Sequence, residues 1–248
     1  MRDYYKEKEA RVAFIRGILK KSGADGIVYG NSGGKDSALV GILCKAACDN
    51  TVGVIMPCQT KQNFGTDRED ALTVAAHFGI ETREVDISEA KKAVTEAVSA
   101  ATALSPMAAA NINPRLRMIT LYAVAASENR LVAGTGNRSE GYLGYFTKWG
   151  DGAHDFNPIA DLTVTEIYEF LRALECPECV IEKAPSAGLF DGQTDEGETG
   201  LSYSDVDSYL LTGEADARVI EKAEKMHLAS EHKRRMPVCF SSEKGGEF

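Results

Sequence analysis

One segment carries the strongest structural signal in this chain: Gly26-Ile27-Val28-Tyr29-Gly30-Asn31-Ser32-Gly33-Gly34-Lys35-Asp36-Ser37. Its apolar start predicts a buried strand, and the apolar residues 38–43 that follow predict a helix. A strand, a glycine turn and a helix in this order point backbone N–H groups and the positive helix end at an anion. Ser32 and Ser37 add hydroxyl donors, and Asp36 is a carboxylate suited to a metal ion that is bound to phosphates.

A competing explanation for this loop is the Walker A pattern, G-x-x-x-x-G-K-[ST]. Aligned on Gly34 and Lys35, that pattern requires glycine at position 29 and serine or threonine at position 36, where this chain has Tyr29 and Asp36. The pattern that remains, Ser-Gly-Gly-x-Asp-Ser, resembles the pyrophosphate loop of the ATP pyrophosphatase superfamily. The resemblance implies cleavage of ATP between its α and β phosphates. A glycine-rich turn that binds nothing is the alternative.

The composition is that of a globular protein with an acidic surface. With 248 residues the chain is long enough for one large α/β domain, and we expect residues 1–248 to form a single one. The net charge of −9 argues against nucleic acid as a partner. The sequence shows neither a membrane-spanning apolar run nor a signal-peptide core, so we expect no membrane partner and a cytoplasmic location. Because the cytoplasm is reducing, we expect no structural disulfides among the six cysteines. Cys176 and Cys179 have metal-ligand spacing, but no second pair accompanies them, so we expect no zinc site.

Strand and helix patterns alternate along the first half of the chain. Strands are predicted at 26–29, 51–56, 82–87 and 130–134, and helices at 4–21, 38–48, 67–78, 88–102 (capped by Ser88) and 114–129. Further helices are predicted at 163–174, 203–211 and 214–230, and the irregular stretch 184–200 is typical of a lid or binding loop. The alternation predicts an α/β fold with a doubly wound, mostly parallel sheet, whose ligands bind at the carboxyl ends of the strands.

A second loop at a strand end matches the first in position. Gly134-Thr135-Gly136-Asn137-Arg138-Ser139-Glu140 follows the fourth predicted strand. Glu140 and Asp36 then supply two carboxylates from neighbouring strand ends. Because Mg²⁺ bound with a triphosphate takes one or two carboxylates and completes its shell with phosphate and water, we expect Mg²⁺ at this pair.

Five motifs together resemble the ammonia-dependent NAD synthetases from about residue 10 to residue 237. They are the stretches 134–140, 144–152 (Gly-Tyr-Phe-Thr-Lys-Trp-Gly-Asp-Gly), 111–118, 183–189 and 231–235. The resemblance implies a Rossmann-like fold of the adenine nucleotide α-hydrolase type. It also implies a two-step reaction: ATP adenylates the nicotinate carboxylate of deamido-NAD, and ammonia then displaces AMP to give NAD.

The family's functional positions transfer to this chain motif by motif. The resemblance assigns ATP binding to Gly30, Asn31, Ser32, Gly33, Gly34, Lys35, Asp36, Ser37, Thr135 and Ser186, and Mg²⁺ to Asp36 and Glu140. It assigns deamido-NAD binding to Arg115, Lys148, Asp155, His232 and Lys233. A homodimer with shared binding sites is also implied, with the basic run 232–235 near the partner's site.

The chemistry suggests roles for two of these side chains and for one further residue. A carboxylate that attacks a polyanion needs neutralising charge, which Lys148 and Lys35 can supply. Asp151, which lies in a glycine-flanked turn, can orient ammonia or accept a proton from the attacking nitrogen, although a purely turn-forming role is almost as consistent with the sequence.

Two positions depart from the family. Val164 stands where the family usually has a basic residue that contacts ATP, and Lys35 stands where glutamine or valine is usual. We hypothesise that Lys35 replaces the missing charge from another direction, so that Lys35→Gln would sharply weaken ATP turnover.

Other functions stay open on the first motif alone. GMP synthetase and tRNA-modifying ligases share the pyrophosphate loop, but the later motifs do not support the former, and the acidic composition does not suit the latter. A non-catalytic nucleotide-binding regulator is disfavoured because Asp36, Glu140 and Lys148 are all present. The length leaves no room for a fused glutaminase domain, so free ammonia is the expected nitrogen source, unless a separate glutaminase partner supplies it.

Overall fold

The computed structural model describes residues 2–58, 61–183 and 195–240, without the side chains of residues 61 and 62. Four strands, β1 (Gly26–Gly30), β2 (Thr51–Ile55), β3 (Glu81–Glu84) and β4 (Arg130–Ala133), form a parallel sheet in the order β3-β2-β1-β4. The predicted α/β fold with a doubly wound parallel sheet is therefore confirmed. Because the chain leaves β1 toward β2 and later returns to its other side with β4, the order reverses between β1 and β4.

Helices cover both faces of the sheet and extend beyond it. In chain order they are α1 (Tyr4–Ser22), α2 (Lys35–Ala47), α3 (Lys61–Phe64), α4 (Thr66–Phe78), α5 (Ser88–Ser99), α6 (Pro106–Ala110), α7 (Ile112–Glu128), α8 (Arg138–Leu143), α9 (Val164–Ala173), α10 (Glu178–Ile181), α11 (Asp195–Thr199), α12 (Tyr203–Thr212), α13 (Ala217–Ala229) and α14 (Glu231–Arg234). Within the described ranges, none of the helices is long and apolar enough to cross a membrane.

The alternation of side chains along β1 divides the core in two. Ile27 and Tyr29 point to one face, where they pack in a cluster with residues of α1, α2, α4 and α9. Val28 points to the other face and packs with Val52, Val132 and residues of α7. Because both faces of the strand are buried, its sequence is continuously apolar rather than alternating, as expected for a parallel sheet covered on both sides.

Most predicted elements are present, and the differences are local. No helix was predicted between the strand at 51–56 and the helix at 67–78, but α3 lies there, and α6 and α8 also occur where no helix was predicted. Ser88 is the first residue of α5 rather than its cap, because the Asp86 carboxylate accepts the Ser88 amide hydrogen at 2.8 Å. Of the expected irregular stretch 184–200, residues 195–199 form α11, and residues 184–194 lie outside the described residues.

Candidate active site

A cavity of about 410 Å³ opens at the carboxyl ends of β1, β2 and β4. Its wall includes Gly30 and Asn31 after β1, Met56 after β2, and Gly134 and Thr135 after β4. This is the point at which the strand order reverses, where open α/β sheets bind their ligands. The two predicted motif loops therefore meet in one pocket.

The loop after β1 is held together by its two serines. The Ser32 and Ser37 hydroxyls lie 3.1 Å apart, and Ser37 Oγ donates to the Gly34 carbonyl at 3.0 Å. Gly34 is the N-cap residue of α2. Within the described residues, no side chain caps the N–H groups in the first turn of this helix. Asn31 is different, since its side chain is buried and donates to the Ala71 carbonyl at 3.2 Å, which ties the loop to α4.

Gly33 is required by the turn itself. Its φ is +73°, in the left-handed region, and a Cβ at this position would lie 2.0 Å from the Asp67 carbonyl oxygen. The loop therefore touches the backbone of α4 so closely that only glycine fits. This contact fixes the loop between α2 and α4.

Asp36 and Glu140 come together through Asn137. Asn137 Nδ2 donates to Asp36 Oδ1 at 3.1 Å, and the Asn137 amide donates to Glu140 Oε2 at 3.1 Å. The second bond is half of a capping box that begins α8. Glu140 thus has a structural role as well as the predicted metal-binding one, and both carboxylates line the pocket.

Lys35 lies against the same carboxylates. Its Nζ donates to Asp36 Oδ2 at 2.8 Å and lies 6.0 Å and 5.8 Å from the ring centres of Tyr168 and Tyr203. Burial opposes the charge of the ammonium group, but the negative charges of Asp36 and Glu140 outweigh this effect, so the pKa of Lys35 lies above its ordinary value.

The pKa of Glu140 is raised well above its ordinary value, first by burial and then by the charge of Asp36. Any further positive charge beside Glu140 would stabilise its ionised form. Across the described ranges 2–58, 61–183 and 195–240, no group of three or more His, Cys, Asp or Glu side chains is placed to hold a metal ion. A Mg²⁺ ion at this pair would therefore need phosphate and water oxygens as well, and the donor set fits that arrangement.

Asp151 lines the pocket and accepts the Thr147 amide hydrogen at 2.9 Å. Although the carboxylate is open to the pocket, the surrounding protein desolvates it, and its pKa is raised above the ordinary value. Lys148, three residues earlier, points away toward α14: its Nζ donates to the His232 carbonyl at 2.6 Å and lies over the Trp149 ring.

The predicted substrate-binding residues are distributed around the rim. Lys233 lines the pocket, where the Gly144 and Phe146 carbonyls each accept from its Nζ at 2.8 Å. Arg115 and His232 are exposed outside the pocket lining. Asp155 accepts from the Val132 amide at 2.7 Å and from the Tyr122 hydroxyl at 3.2 Å. Ser186 lies outside the described residues.

Two basic residues of the pocket were missed as site residues. Lys183 forms ion pairs with Asp67 at 2.7 Å and Asp70 at 2.8 Å, and its Nζ also donates to the Gly33 carbonyl at 3.4 Å. Arg117 lines the pocket and donates to the Met56 carbonyl at 3.4 Å. Both lie inside motifs already identified in the sequence, 183–189 and 111–118. The signal for Arg117 is its spacing, because it is three positions from buried Pro114, on the helix face that packs on the sheet.

Comparison with known proteins matches one family over most of the chain. The sequence model of the NAD synthase family matches residues 7–237. An NH3-dependent NAD+ synthetase from Carboxydothermus hydrogenoformans is 48% identical over 96% of this chain and 98% of its own. Among solved structures, an NMN synthetase from Francisella tularensis is 34% identical, with a TM-score of 0.91 over 96% of this chain and 99% of its own. An NH3-dependent NAD synthetase from Campylobacter jejuni is 33% identical, with a TM-score of 0.79 over 97% of this chain and 100% of its own.

Proposed function

The chain belongs to the NAD synthase family, and from that premise we propose that it amidates deamido-NAD with ammonia at the expense of ATP. The products are NAD, AMP and pyrophosphate, so the enzyme is a carbon–nitrogen ligase that performs the final step of NAD biosynthesis. One observation carries the proposal. The loop Gly30–Ser37, the start of α2 and the Asp36–Glu140 pair face a single pocket at the switch point of the sheet.

In the first step an oxygen of the nicotinate carboxylate attacks the α-phosphorus of ATP. The new O–P bond forms as the bond between the α-phosphorus and the bridging oxygen to the β-phosphate breaks, and pyrophosphate leaves. The N–H groups at the start of α2 and the Ser32 and Ser37 hydroxyls are placed to hold the phosphates. Lys35 supplies positive charge from within the loop.

Mg²⁺ is part of this proposal. Asp36 and Glu140 would hold it, and when bound it would neutralise phosphate charge and stabilise the leaving pyrophosphate. The support is geometric: Asn137 donates to Asp36 and to Glu140 at 3.1 Å each, and both carboxylates line the pocket. Two carboxylates held together in this way are suited to a shared divalent cation.

In the second step ammonia attacks the carbonyl carbon of the adenylate, a C–N bond forms, and the C–O bond to AMP breaks. The attacking nitrogen must lose one proton. Asp151 is the acceptor we propose, because its raised pKa makes it a stronger base than an ordinary carboxylate. Its bond from the Thr147 amide fixes its position in the pocket.

We assign the remaining contacts to the outer part of the substrate. Five residues are proposed to bind deamido-NAD: Lys233, which lines the pocket, and Arg115, Lys148, Asp155 and His232, which lie outside its lining. Because Arg115 and His232 are exposed, we propose that they act at the interface of a homodimer. The cytoplasm, where ATP is available and thiols stay reduced, is the proposed compartment, and all six cysteines are free.

A second candidate substrate has one specific observation in its favour. The NMN synthetase structure superposes on this chain with a TM-score of 0.91, against 0.79 for the Campylobacter jejuni NAD synthetase. Nicotinate mononucleotide carries the same carboxylate as deamido-NAD and would undergo the same two steps. The sequence relationship favours deamido-NAD, since the relative with 48% identity is an NAD+ synthetase.

The test is a matched set of incubations with ATP and Mg²⁺. Deamido-NAD with ammonium, deamido-NAD with glutamine, and nicotinate mononucleotide with ammonium are compared by chromatography of the products. We expect NAD with equal AMP and pyrophosphate from the first mixture only. NMN formed at a higher kcat/KM than NAD would replace the proposed substrate with the mononucleotide. ADP and phosphate in place of AMP and pyrophosphate would refute the proposed reaction.

A further inference from the structure

The ammonium group of Lys35 is buried beside the two proposed metal ligands. The residue is 6% exposed, and its Nζ lies 2.8 Å from Asp36 Oδ2. The Tyr168 and Tyr203 rings enclose it from two sides, with centres at 6.0 Å and 5.8 Å. Lysine is seldom buried unless it is paired, so this position requires a reason.

The partners of Lys35 within the described residues are the carboxylate of Asp36 and the faces of two aromatic rings. Glu140 belongs to the same group, because Asn137 joins it to Asp36 by two hydrogen bonds of 3.1 Å. Lys35 adds a positive charge beside these carboxylates. The lysine therefore reduces the negative charge that would attract a cation.

We propose that Lys35 is a resident counter-ion of the Asp36–Glu140 pair, which keeps a free divalent cation out until the cation arrives bound to nucleotide phosphates. The proposal rests on the proposed function for the identity of that nucleotide. It goes beyond the hypothesis that Lys35 merely replaces a charge missing at Val164, because it gives the lysine a role before ATP binds.

The physical basis is an exchange of partners. A cation that enters alone must break the Lys35–Asp36 ion pair and leave the ammonium buried without compensation, which is costly. A cation that enters with a triphosphate brings anionic oxygens that the ammonium can bind instead. Lys35 is the first residue of α2, and the lysine side chain has a flexible four-carbon stem, so it can turn toward phosphates at the helix start.

The neighbouring helix face is consistent with this arrangement. Val164 is buried at the start of α9, one helical turn before Tyr168, the ring that packs against Lys35. Positions four apart lie on the same face of a helix. Lys35 thus places its charge beside Tyr168, on the helix that begins with Val164, where the family usually has a cation.

The experiment measures Mn²⁺ binding by electron paramagnetic resonance, with Mn²⁺ alone and then with α,β-methylene-ATP, which cannot be cleaved. Wild type is compared with Lys35→Gln and Lys35→Met. Lys45→Gln is the matched control, because it removes the same charge from the same helix at a solvent-accessible ion pair with Asp49. Circular dichroism spectra verify that each variant is folded.

Without nucleotide, we expect both neutral variants at position 35 to bind Mn²⁺ about tenfold more tightly than wild type, because a positive charge next to the ligands has been removed. Lys45→Gln should match wild type. With α,β-methylene-ATP the order should reverse, and wild type should bind the Mn²⁺–nucleotide complex most tightly. A wild type that binds Mn²⁺ equally well with and without nucleotide would also contradict the proposal.

Equal or weaker Mn²⁺ binding by the folded Lys35 variants would overturn the counter-ion role. That result is independent of turnover, so it is distinguishable from failure of the proposed reaction. Absence of NAD formation by wild type, together with the expected Mn²⁺ results, would overturn the reaction and leave the counter-ion in place.

Discussion

Lys35 and Asp36 are adjacent in the chain, and their opposite charges meet at the start of one helix. The sequence predicted Asp36 as a site residue because a carboxylate after a phosphate-binding glycine turn is suited to a metal ion bound to phosphates. It also showed Lys35 to be an unusual residue at its position. The burial of the lysine could not be predicted, because it depends on tyrosines from α9 and α12 that are more than 130 positions away.

At Asp151 we predict that asparagine will lower kcat by about 10²-fold or more, because a positioned proton acceptor is lost. Asparagine can still accept from the Thr147 amide, so the turn should persist. In wild type, kcat should fall as the pH decreases through the pKa of Asp151, which lies above the usual carboxyl value, because the protonated acid cannot accept a proton. This acid limb should disappear in Asp151→Asn.

The measurement is steady-state kcat across pH at a constant concentration of unprotonated ammonia, so that ammonia's own titration does not contribute. Asp49→Asn is the control, since that side chain is fully exposed at the end of α2, and it should leave kcat within about twofold of wild type. An Asp151→Asn enzyme with wild-type kcat would eliminate Asp151 as the acceptor.

For Gly33 we predict that alanine will both destabilise the protein and disrupt ATP use. Alanine in the left-handed region costs about 1–2 kcal/mol, and the new methyl group would lie 2.0 Å from the Asp67 carbonyl oxygen. Gly79→Ala separates the backbone strain from the steric clash, because Gly79 also has a positive φ but has nothing within 4 Å of the position its Cβ would take. Urea unfolding and ATP turnover are the measurements.

Only Gly33→Ala should lose ATP turnover, by about tenfold or more, since a shift of the loop misplaces groups at the reacting phosphates. Gly79→Ala should lose about 1–2 kcal/mol of stability and no activity. Equal effects of the two substitutions on turnover would mean that the close approach of Gly33 to α4 does not position the loop.

At the level of elements, local sequence signals predicted the long helices and missed the short ones. The helix predicted at 163–174 is present as α9, and Thr163 caps it through a capping box with Glu166 that is contained within four residues. The helix α8 also has a capping box, but the glycines around it suggest a loop. Its N-cap residue, Asn137, also links Asp36 to Glu140 by hydrogen bonds. Tertiary contacts of this kind are not visible in a local pattern.

The start of α8 and the start of α9 are joined by one buried carboxylate on α12. Asp207 accepts from Ser139 Oγ at 2.5 Å and from the amide and hydroxyl of Thr165 at 2.7 Å each. We predict that Asp207→Asn will lower the free energy of unfolding by about 2–4 kcal/mol, because it disrupts buried hydrogen bonds to a charge. Since Ser139 precedes Glu140, Mn²⁺ affinity should fall as well.

Chemical denaturation and Mn²⁺ titration check this prediction. Asp205→Asn on the same helix is the control, because its carboxylate is exposed and bonds only locally to Ser202 among the residues described. It should change stability by less than about 0.5 kcal/mol. A similar loss in both variants would show that Asp207 is not a specific link between the helices.

At the level of the whole molecule, the pocket combines residues from most of the chain. The strand-end rule predicted that residues near positions 30 and 134 would meet, because neighbouring parallel strands end at one edge. It could not predict that Lys183 would reach back to Gly33 across 150 positions. Nor could it place Lys148, whose amine contacts the His232 carbonyl rather than the pocket.

The proposed homodimer has a candidate surface on the outer helices. Val94 and Val98, four residues apart on α5, and Ile119 on neighbouring α7 are 39%, 36% and 57% exposed. Exposed apolar side chains that cluster mark interaction surfaces. We predict a dimer by light scattering, and predict that Val98→Glu with Ile119→Glu will convert it to a monomer of lower activity.

Leu211→Glu is the control for that experiment, because Leu211 is 48% exposed on α12, a helix that does not contribute to this surface. It should remain dimeric. A wild-type monomer with full activity would remove the dimer from the account, and a dimer that survives both glutamates would move the interface elsewhere.

The central claim is that the pocket joins the nicotinate carboxylate to the α-phosphorus of ATP. Deamido-NAD labelled with oxygen-18 in its carboxylate tests this directly when it is converted with unlabelled ATP and ammonium. Because the C–O bond breaks in the second step, the account predicts that one labelled oxygen appears in AMP and none in pyrophosphate, as measured by mass spectrometry. Unlabelled AMP, or label in pyrophosphate, would contradict it.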